Sequence, residues 1–308
     1  MNIPRTDLNV SPLCMGGLTT EDPGLFRWMD RFAAAGGNFF DTANVYGKWA
    51  PWFTNFSEQC IGKWLKTRPD RHELIIATKG AHYDLADPAR TPRLGMAEIR
   101  ADLQESLTAL GLDRIRLYWL HRDDPSRPIG EIIETMEQLH KEGLVQWYGA
   151  SNYTAARLAE AREYADAHGS TGFVAVSNQW SLAPNNPGAN NNPDPTIVLM
   201  GQPEIDFHTA TGTPCIPYQS TARGWFAKMA AGQPVDPGVQ RAFDNPANRA
   251  TLARLQQLSA ETGHSVQALA LTELTHRPFP VLPITGASSD AQMDTLLEAL
   301  SMLQQGQA

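Results

Sequence analysis

Cysteine is scarce. Cys14, Cys60 and Cys215 are the only three in 308 residues, an odd number with no CxxC pair and no histidine at metal-ligand spacing, which excludes a disulfide framework. They read as reduced thiols, and no structural metal is expected. No apolar run approaches the roughly 18 residues that a membrane-spanning helix needs. The opening MNIPRTD also lacks the charged-then-apolar pattern of a secretory signal, so a soluble, cytoplasmic protein is the expectation. Positive charge is the minority sign, with 25 Lys and Arg against 33 Asp and Glu, and the net charge is −8 with no block of like charges. That argues against nucleic acid and anionic membranes as partners and leaves small molecules. Nothing in the composition fixes an oligomeric state.

What is present is a large apolar content, 42%, in a length that suits one α/β barrel of about 250 residues with insertions. The chain turns on FFDTANVYG, residues 39–47, where a short apolar run ends in Asp41 and Tyr46 follows in the loop. Each has a plain structural explanation, a helix cap for the carboxylate and a core position for the phenol. Two later runs repeat the arrangement: the apolar run of LIIATKG stops at Lys79, and that of IRLYWLHRDD stops at His121. In a barrel of parallel strands these ends share one face, where active sites lie. An interior lysine is costly unless paired, and Asp41 is a candidate partner.

Taken in order, apolar periodicity, caps and breakers predict alternating strands and helices. Extended pieces are expected near Pro4–Asp7 and Leu13–Gly16, with a helix capped by Asp22 between the latter and strand Asn38–Asp41. Further strands are expected at Leu74–Thr78, Ile115–Leu120, Leu144–Ala150, Phe173–Asn178, Thr213–Tyr218 and Val281–Ile284. Helices are expected at Met96–Leu110, Ile129–Lys141, Thr154–His168, Pro203–Thr211, Ala247–Thr262, Ser265–Arg277 and Asp290–Leu303. With Leu13–Gly16 there are eight strands, and the economical reading is a parallel (β/α)8 TIM barrel with long rim loops, one domain over residues 1–308. The Asn- and Pro-rich stretch Ser181–Pro195 reads as a loop covering the site.

FFDTANVYG, IIATKG, DRIRLYWLH, YGASNY and PITGAS, in this order and spacing, resemble the aldo-keto reductase superfamily over nearly the whole chain. The resemblance implies reversible, nicotinamide-dependent reduction of an aldehyde or ketone, with Asp41, Tyr46, Lys79 and His121 as a catalytic tetrad. The residue chemistry agrees. A carbonyl accepting hydride develops negative charge on oxygen and needs a proton donor there. A free tyrosine, with a pKa near 10, is a weak acid at neutral pH, and a neighbouring ammonium favours its ionised form.

The resemblance also implies that Ser151, Asn152 and Gln179 bind the nicotinamide carboxamide and that Tyr218 stacks on its ring. Where the family often reads Ser-Pro-Leu-x-x-Gly, this chain has Gln219-Ser220-Thr221-Ala222-Arg223-Gly224, so Ser220 and Arg223 are the pyrophosphate candidates. Gly286, Ser288 and Gln292 would serve the helix N-terminus that receives an anion. The usual adenine-binding Glu-Asn pair is replaced by Thr295 and Leu296. Residues 284–296 hold no basic side chain but include Asp290 and Asp294, which keeps NAD(H) in competition; the resemblance implies NADP(H), which is favoured with Arg223 or Arg277 supplying the charge from outside that segment.

For substrate, Trp49, Trp52, Phe53 and Trp180 are expected to form an aromatic wall, suited to an aryl carbonyl or to the apolar face of a sugar. His82, Arg122, Asp123 and Asn185 would suit hydroxyl groups, which inclines the reading toward a sugar-like substrate. Two rivals stand: a lyase or aldolase using Lys79 as a Schiff-base amine, and a cofactor-binding regulatory subunit.

Overall fold

The structure, a computed structural model, describes residues 1–17, 24–49, 54–190 and 194–306. Its strands are β1 Cys14–Met15, β2 Phe39–Asp41, β3 Ile75–Gly80, β4 Ile115–Leu120, β5 Val145–Ser151, β6 Val176–Ser177 and β7 Ile284–Thr285. All pair in parallel, in the spatial order β6-β5-β4-β3-β2-β1-β7. The stretch expected as a strand at Thr213–Tyr218 closes the ring between β6 and β7 through single bridges, Cys215 to Val176 and Cys215 to Val281. Ile216 N donates to Val176 O at 2.7 Å, and Ile284 N donates to Pro217 O at 2.8 Å. Pro214, Pro217, Pro280 and Pro283 have no N–H to give, so the ladder thins here to isolated bonds. The result is a (β/α)8 barrel.

Successive side chains on a strand face opposite ways. Phe39, Ile75, Ala77, Leu117 and Trp119 fill the barrel interior, while Phe40, Ile76, Tyr118, Leu120, Tyr148 and Ala150 pack outward against the helices. The same parity carries Asp41, Lys79, His121 and Ser151 toward the inside, at or just past the C-terminal ends of β2, β3, β4 and β5. Ile3, Leu8 and Val10 join the interior cluster from a hairpin in which Asn2 and Asn9 bridge antiparallel. Pro4–Asp7 is the turn of that hairpin, not an extended piece, because Pro4 fixes its own φ and Arg5 adopts φ 64°.

The helices Met96–Leu110 and Ile129–Lys141 keep their expected bounds. Thr154 caps Ala155–His168 by accepting from Arg157 N, and Ser289 caps the last helix, Asp290–Gln304. The expected cap Asp22 lies outside the described residues. Beyond Tyr218 the rim carries two helices that the sequence reading did not separate, Trp225–Ala230 and Pro237–Phe243. Among the described residues no helix is long and apolar enough to cross a membrane.

Gly149 shows how tightly the interior is filled. A Cβ there would lie 2.4 Å from Trp119 Cζ3 and 2.6 Å from the Ala175 carbonyl oxygen. Gly149→Ala should therefore cost about 1–3 kcal/mol of stability, as overpacking does. Urea unfolding of the variant beside the parent checks this, and an unchanged midpoint would refute it.

Candidate active site

A cleft of about 570 Å³ opens where the strands end. Asp41, Tyr46, Lys79 and His121 all line it, although Asp41 and Lys79 lie on two different strands and Tyr46 and His121 on the segments that follow β2 and β4. Tyr46 is held by the short turn after β2, its N–H bonded to Ala43 O, and Ser57 N closes the turn by donating to Tyr46 O at 3.1 Å. Gly47, at φ 106°, reverses the chain next to it, where a Cβ would strike Phe56.

Lys79 and Asp41 form a buried ion pair, and the Lys79 ammonium also donates to Thr42 O at 2.8 Å. Burial raises the Asp41 pKa, with Lys79 acting against it, and Asp41 and Tyr46 more than offset the burial that would otherwise lower Lys79. The proton of the pair stays on the amine. A Schiff-base lysine must be a free base, so this pairing speaks against the lyase reading. The ammonium nitrogen lies 5.0 Å from the centre of the Tyr46 ring. On the phenol's other flank the His121 ring stands edge-on, with centroids 5.8 Å apart.

His121 is buried, and its Nδ1 has no hydrogen-bond partner among the described residues. Burial, then the cations and imidazole around it, Arg122, His82 and Lys79, hold its pKa well below the ordinary histidine value. Asn152, with φ 62°, donates through Nδ2 to the His121 carbonyl at 3.1 Å and accepts from the Tyr218 hydroxyl at 2.6 Å.

A second network rims the cleft. Arg122 donates to His121 O, to Thr196 Oγ1 and to Asp194, and Tyr83 Oη donates to Asp194 at 2.8 Å. Hydrogen bonds to Thr196 and Tyr83 and the charge of Arg122 outweigh burial and bring the Asp194 pKa down to about 2. This ties the loops after β3, β4 and β6 together. Sequence reasoning missed Tyr83, Asp194 and Ile197 as lining groups. Only a polar loop just after Lys79 signalled the first of them.

Of the expected cofactor residues, Ser151, Tyr218, Ser220 and Gly286 line the cleft. Asn152 and Gln179 do not; Asn152 is turned to His121 and Tyr218, and Gln179 sits against Asn190. Arg223, Ser288 and Gln292 are exposed beyond the cleft, with Ser288 donating to Gln292 Oε1 at 2.8 Å. Arg277 lies over the Trp180 ring, 5.3 Å from its centre. Leu296 is core, and Asp290 and Asp294 are paired with Arg27 and Arg31 of the helix Gly24–Ala34, so the start of the last helix is less acidic than its own sequence implies.

Between β1 and β7 the two chain segments approach closely. A Cβ on Gly286 would lie 2.4 Å from Gly16 O, so backbone alone forms the surface there. Beside it Gln219, Ala222 and Arg223 all take left-handed φ, 53°, 52° and 54°. Such strained positions in non-glycine residues collect at ligand sites.

Among substrate candidates, Trp49 lines the cleft and is 57% exposed. Trp180 does not reach the cleft; it follows inward-facing Gln179, so it turns to the other side and stacks on Phe279. Trp52 and Phe53 lie outside the described residues. Asp123 is bound to Arg157, and Asn185 donates to Ala189 O, so neither is a free rim group.

The aldo/keto reductase family model matches residues 12–306. The chain belongs to the aldo/keto reductase family. It is 28% identical to the uncharacterized oxidoreductase YrpG of Bacillus subtilis, the match covering 97% of this chain and 90% of that one. It is also 28% identical to the norsolorinic acid reductase stcV of Emericella nidulans and 29% to an aryl-alcohol dehydrogenase [NADP(+)] of Phanerodontia chrysosporium. These matches cover 97% of this chain and 76% and 80% of the relatives. The protein is a nicotinamide-dependent oxidoreductase that reduces carbonyl compounds.

A pKa displaced downward means that the proton leaves at lower pH, so His121 should be neutral throughout the range from about pH 6 to 8 in which histidines ordinarily titrate. Nitrogen NMR of the imidazole in the ligand-free protein reads this directly. A midpoint at the ordinary value of about 6.5 would contradict the burial argument.

Proposed function

We propose that Tyr46 is the proton donor of the reduction, with Lys79 and Asp41 supporting it and His121 orienting the substrate. The observation that carries this reading is the Lys79 ammonium, held by Asp41 and 5.0 Å from the Tyr46 ring centre, inside the same cleft as His121. A bound nicotinamide supplies the hydride. As charge grows on the carbonyl oxygen, Tyr46 Oη gives it a proton, and the nearby ammonium stabilises the phenolate that remains. Neutral His121 donates one hydrogen bond to the same oxygen and fixes its approach.

Ser151 and Tyr218 are assigned to the nicotinamide end, Ser220 and the backbone at Gly286 to the phosphates, and Ser288 and Gln292 to the adenosine end. Asn152 positions His121 and Tyr218, and the Gln179 backbone bridges that of Tyr218. Of the two coenzymes NADP(H) is favoured: Arg223 stands exposed beside the cleft-lining residues 219–221, and one relative's name carries NADP(+). We read the chain as a single barrel domain. The substrate is an aldehyde or ketone with a flat, apolar body, supported by Trp49, Tyr83 and Leu85 on the cleft wall and by the aryl and norsolorinic names of two relatives.

Tyr46→Phe should lower kcat by about 10²–10⁴-fold, the usual worth of general-acid help. Its NADPH affinity should stay within about twofold of the parent, because no contact of the phenol with the cofactor is invoked. Stopped-flow turnover and cofactor fluorescence decide together, and a variant retaining full kcat would remove Tyr46 from the role.

Titration with NADPH and NADH tests the coenzyme assignment. NADPH should bind more tightly, and Arg223→Ala should weaken NADPH alone by about tenfold or more, the loss of a charge-assisted bond. Arg277→Ala, whose guanidinium lies over Trp180, should change neither affinity. Equal affinity for the two coenzymes in the parent would overturn the preference.

A further inference from the structure

The reaction needs one histidine in the cleft, yet a second lies against it. His82 is buried and its ring meets His121 edge-on, centroids 4.7 Å apart. Its Nδ1 is 2.9 Å from the Tyr83 carbonyl oxygen. A carbonyl can only accept, so Nδ1 carries the hydrogen and Nε2 keeps its lone pair. Burial and Arg122 bring the His82 pKa down to about 4, so this tautomer stays neutral at ordinary pH.

The polar groups around His82 are already engaged. Arg122 donates to Thr196, His121 O and Asp194, Tyr83 Oη donates to Asp194, and Arg93 donates to the His82 carbonyl and to Asp102. His82 Nε2 makes no hydrogen bond among the described residues, and it is not sealed from solvent. The cleft therefore presents, side by side, an imidazole assigned to donate to the carbonyl oxygen and one able only to accept.

We propose that His82 is a specificity-determining residue that accepts a hydrogen bond from a substrate hydroxyl next to the reacting carbonyl, so that the preferred substrates are α-hydroxy carbonyl compounds. The inference rests on the reading of the cleft as the reduction site and deepens it. A hydroxyl on the adjacent carbon places a donor beside the carbonyl oxygen, matching two imidazoles in contact. A bound substrate without that hydroxyl covers the acceptor and leaves it without a partner, and discrimination by hydrogen bonding arises in this way.

The test compares α-hydroxyacetophenone with acetophenone and with α-methoxyacetophenone, which has an oxygen but no donor. In the parent, kcat/KM for the hydroxy ketone should exceed both others by about three- to tenfold, the worth of one hydrogen bond. In His82→Phe the ratio should fall to near one. In His82→Gln, where an amide oxygen can accept, part of it should return. The ratio within each variant is insensitive to the fraction of folded protein, so a folding defect cannot imitate the result. Equal kcat/KM for the three ketones in the parent, or a ratio unchanged in His82→Phe, would overturn the role of His82 and leave the reductase reading intact. Absence of turnover with every ketone and with simple aldehydes would overturn the reading of the cleft and the role of His82 with it.

Discussion

The site depends on one buried charge. A lysine ammonium inside a barrel is tolerated only if a carboxylate and further acceptors surround it, and removing one partner from such a pair typically costs about 3–5 kcal/mol. Lys79 meets that condition with Asp41 and the Thr42 carbonyl. The pairing is a product of strand register. Asp41 lies opposite Ala77, and Lys79, two residues further along β3, returns to the same inward face just above it. A slip of one residue in either strand would turn one of the charges outward. The ion pair thus fixes where Tyr46 must lie to feel a positive charge, and the interior that supports it, Trp119 against Gly149, leaves no room for adjustment.

That charge also governs the histidines. Lys79 and Arg122 are the cations near His121, and together with burial they keep its imidazole neutral. Arg122 in turn is held by Asp194, so the loop after β6 bears on the protonation of a residue at the end of β4. A neutral histidine can give one hydrogen bond without competing as an acid, which leaves Tyr46 as the single proton source in the proposed mechanism. His82 follows the same electrostatics, and the Tyr83 carbonyl decides its tautomer, leaving Nε2 able only to accept.

The strand-borne half of the site was legible in the sequence because a period of two and a run of apolar residues state both the strand and the direction of its last side chain. Asp41, Lys79 and His121 are each such endings. Tyr46 was marked by its place in the loop after Asp41, but its role as proton donor rested on the family resemblance, since a phenol five residues past a strand end is more often a core residue. The strand at Thr213–Tyr218 was legible as an element but not as a broken ladder, which follows from prolines on both it and its neighbour. Trp180 misled because aromatic character outweighed parity: it comes one residue after inward-facing Gln179. The contacts Tyr83–Asp194 and Arg27–Asp290 join segments 111 and 263 residues apart, and no local pattern announces either.

The two ends of the cleft are built differently, and the difference follows from what each must do. Proton transfer tolerates little error in position, and the groups proposed for it stand on or just beyond strands whose directions the closed sheet fixes. The end assigned to the phosphates is made of loop backbone, with Gln219, Ala222 and Arg223 in left-handed conformations and Gly286 bare against Gly16. Backbone N–H groups can hold an anion whatever side chains they carry, so this end can depart from the usual family residues without losing its chemistry. That is why Ser-Pro-Leu can give way to Gln-Ser-Thr here while the tetrad keeps its residue types. On the proposed assignment, discrimination between coenzymes would fall to the few charged side chains at the loop's edge, Arg223 first among them, and not to the strand-borne frame.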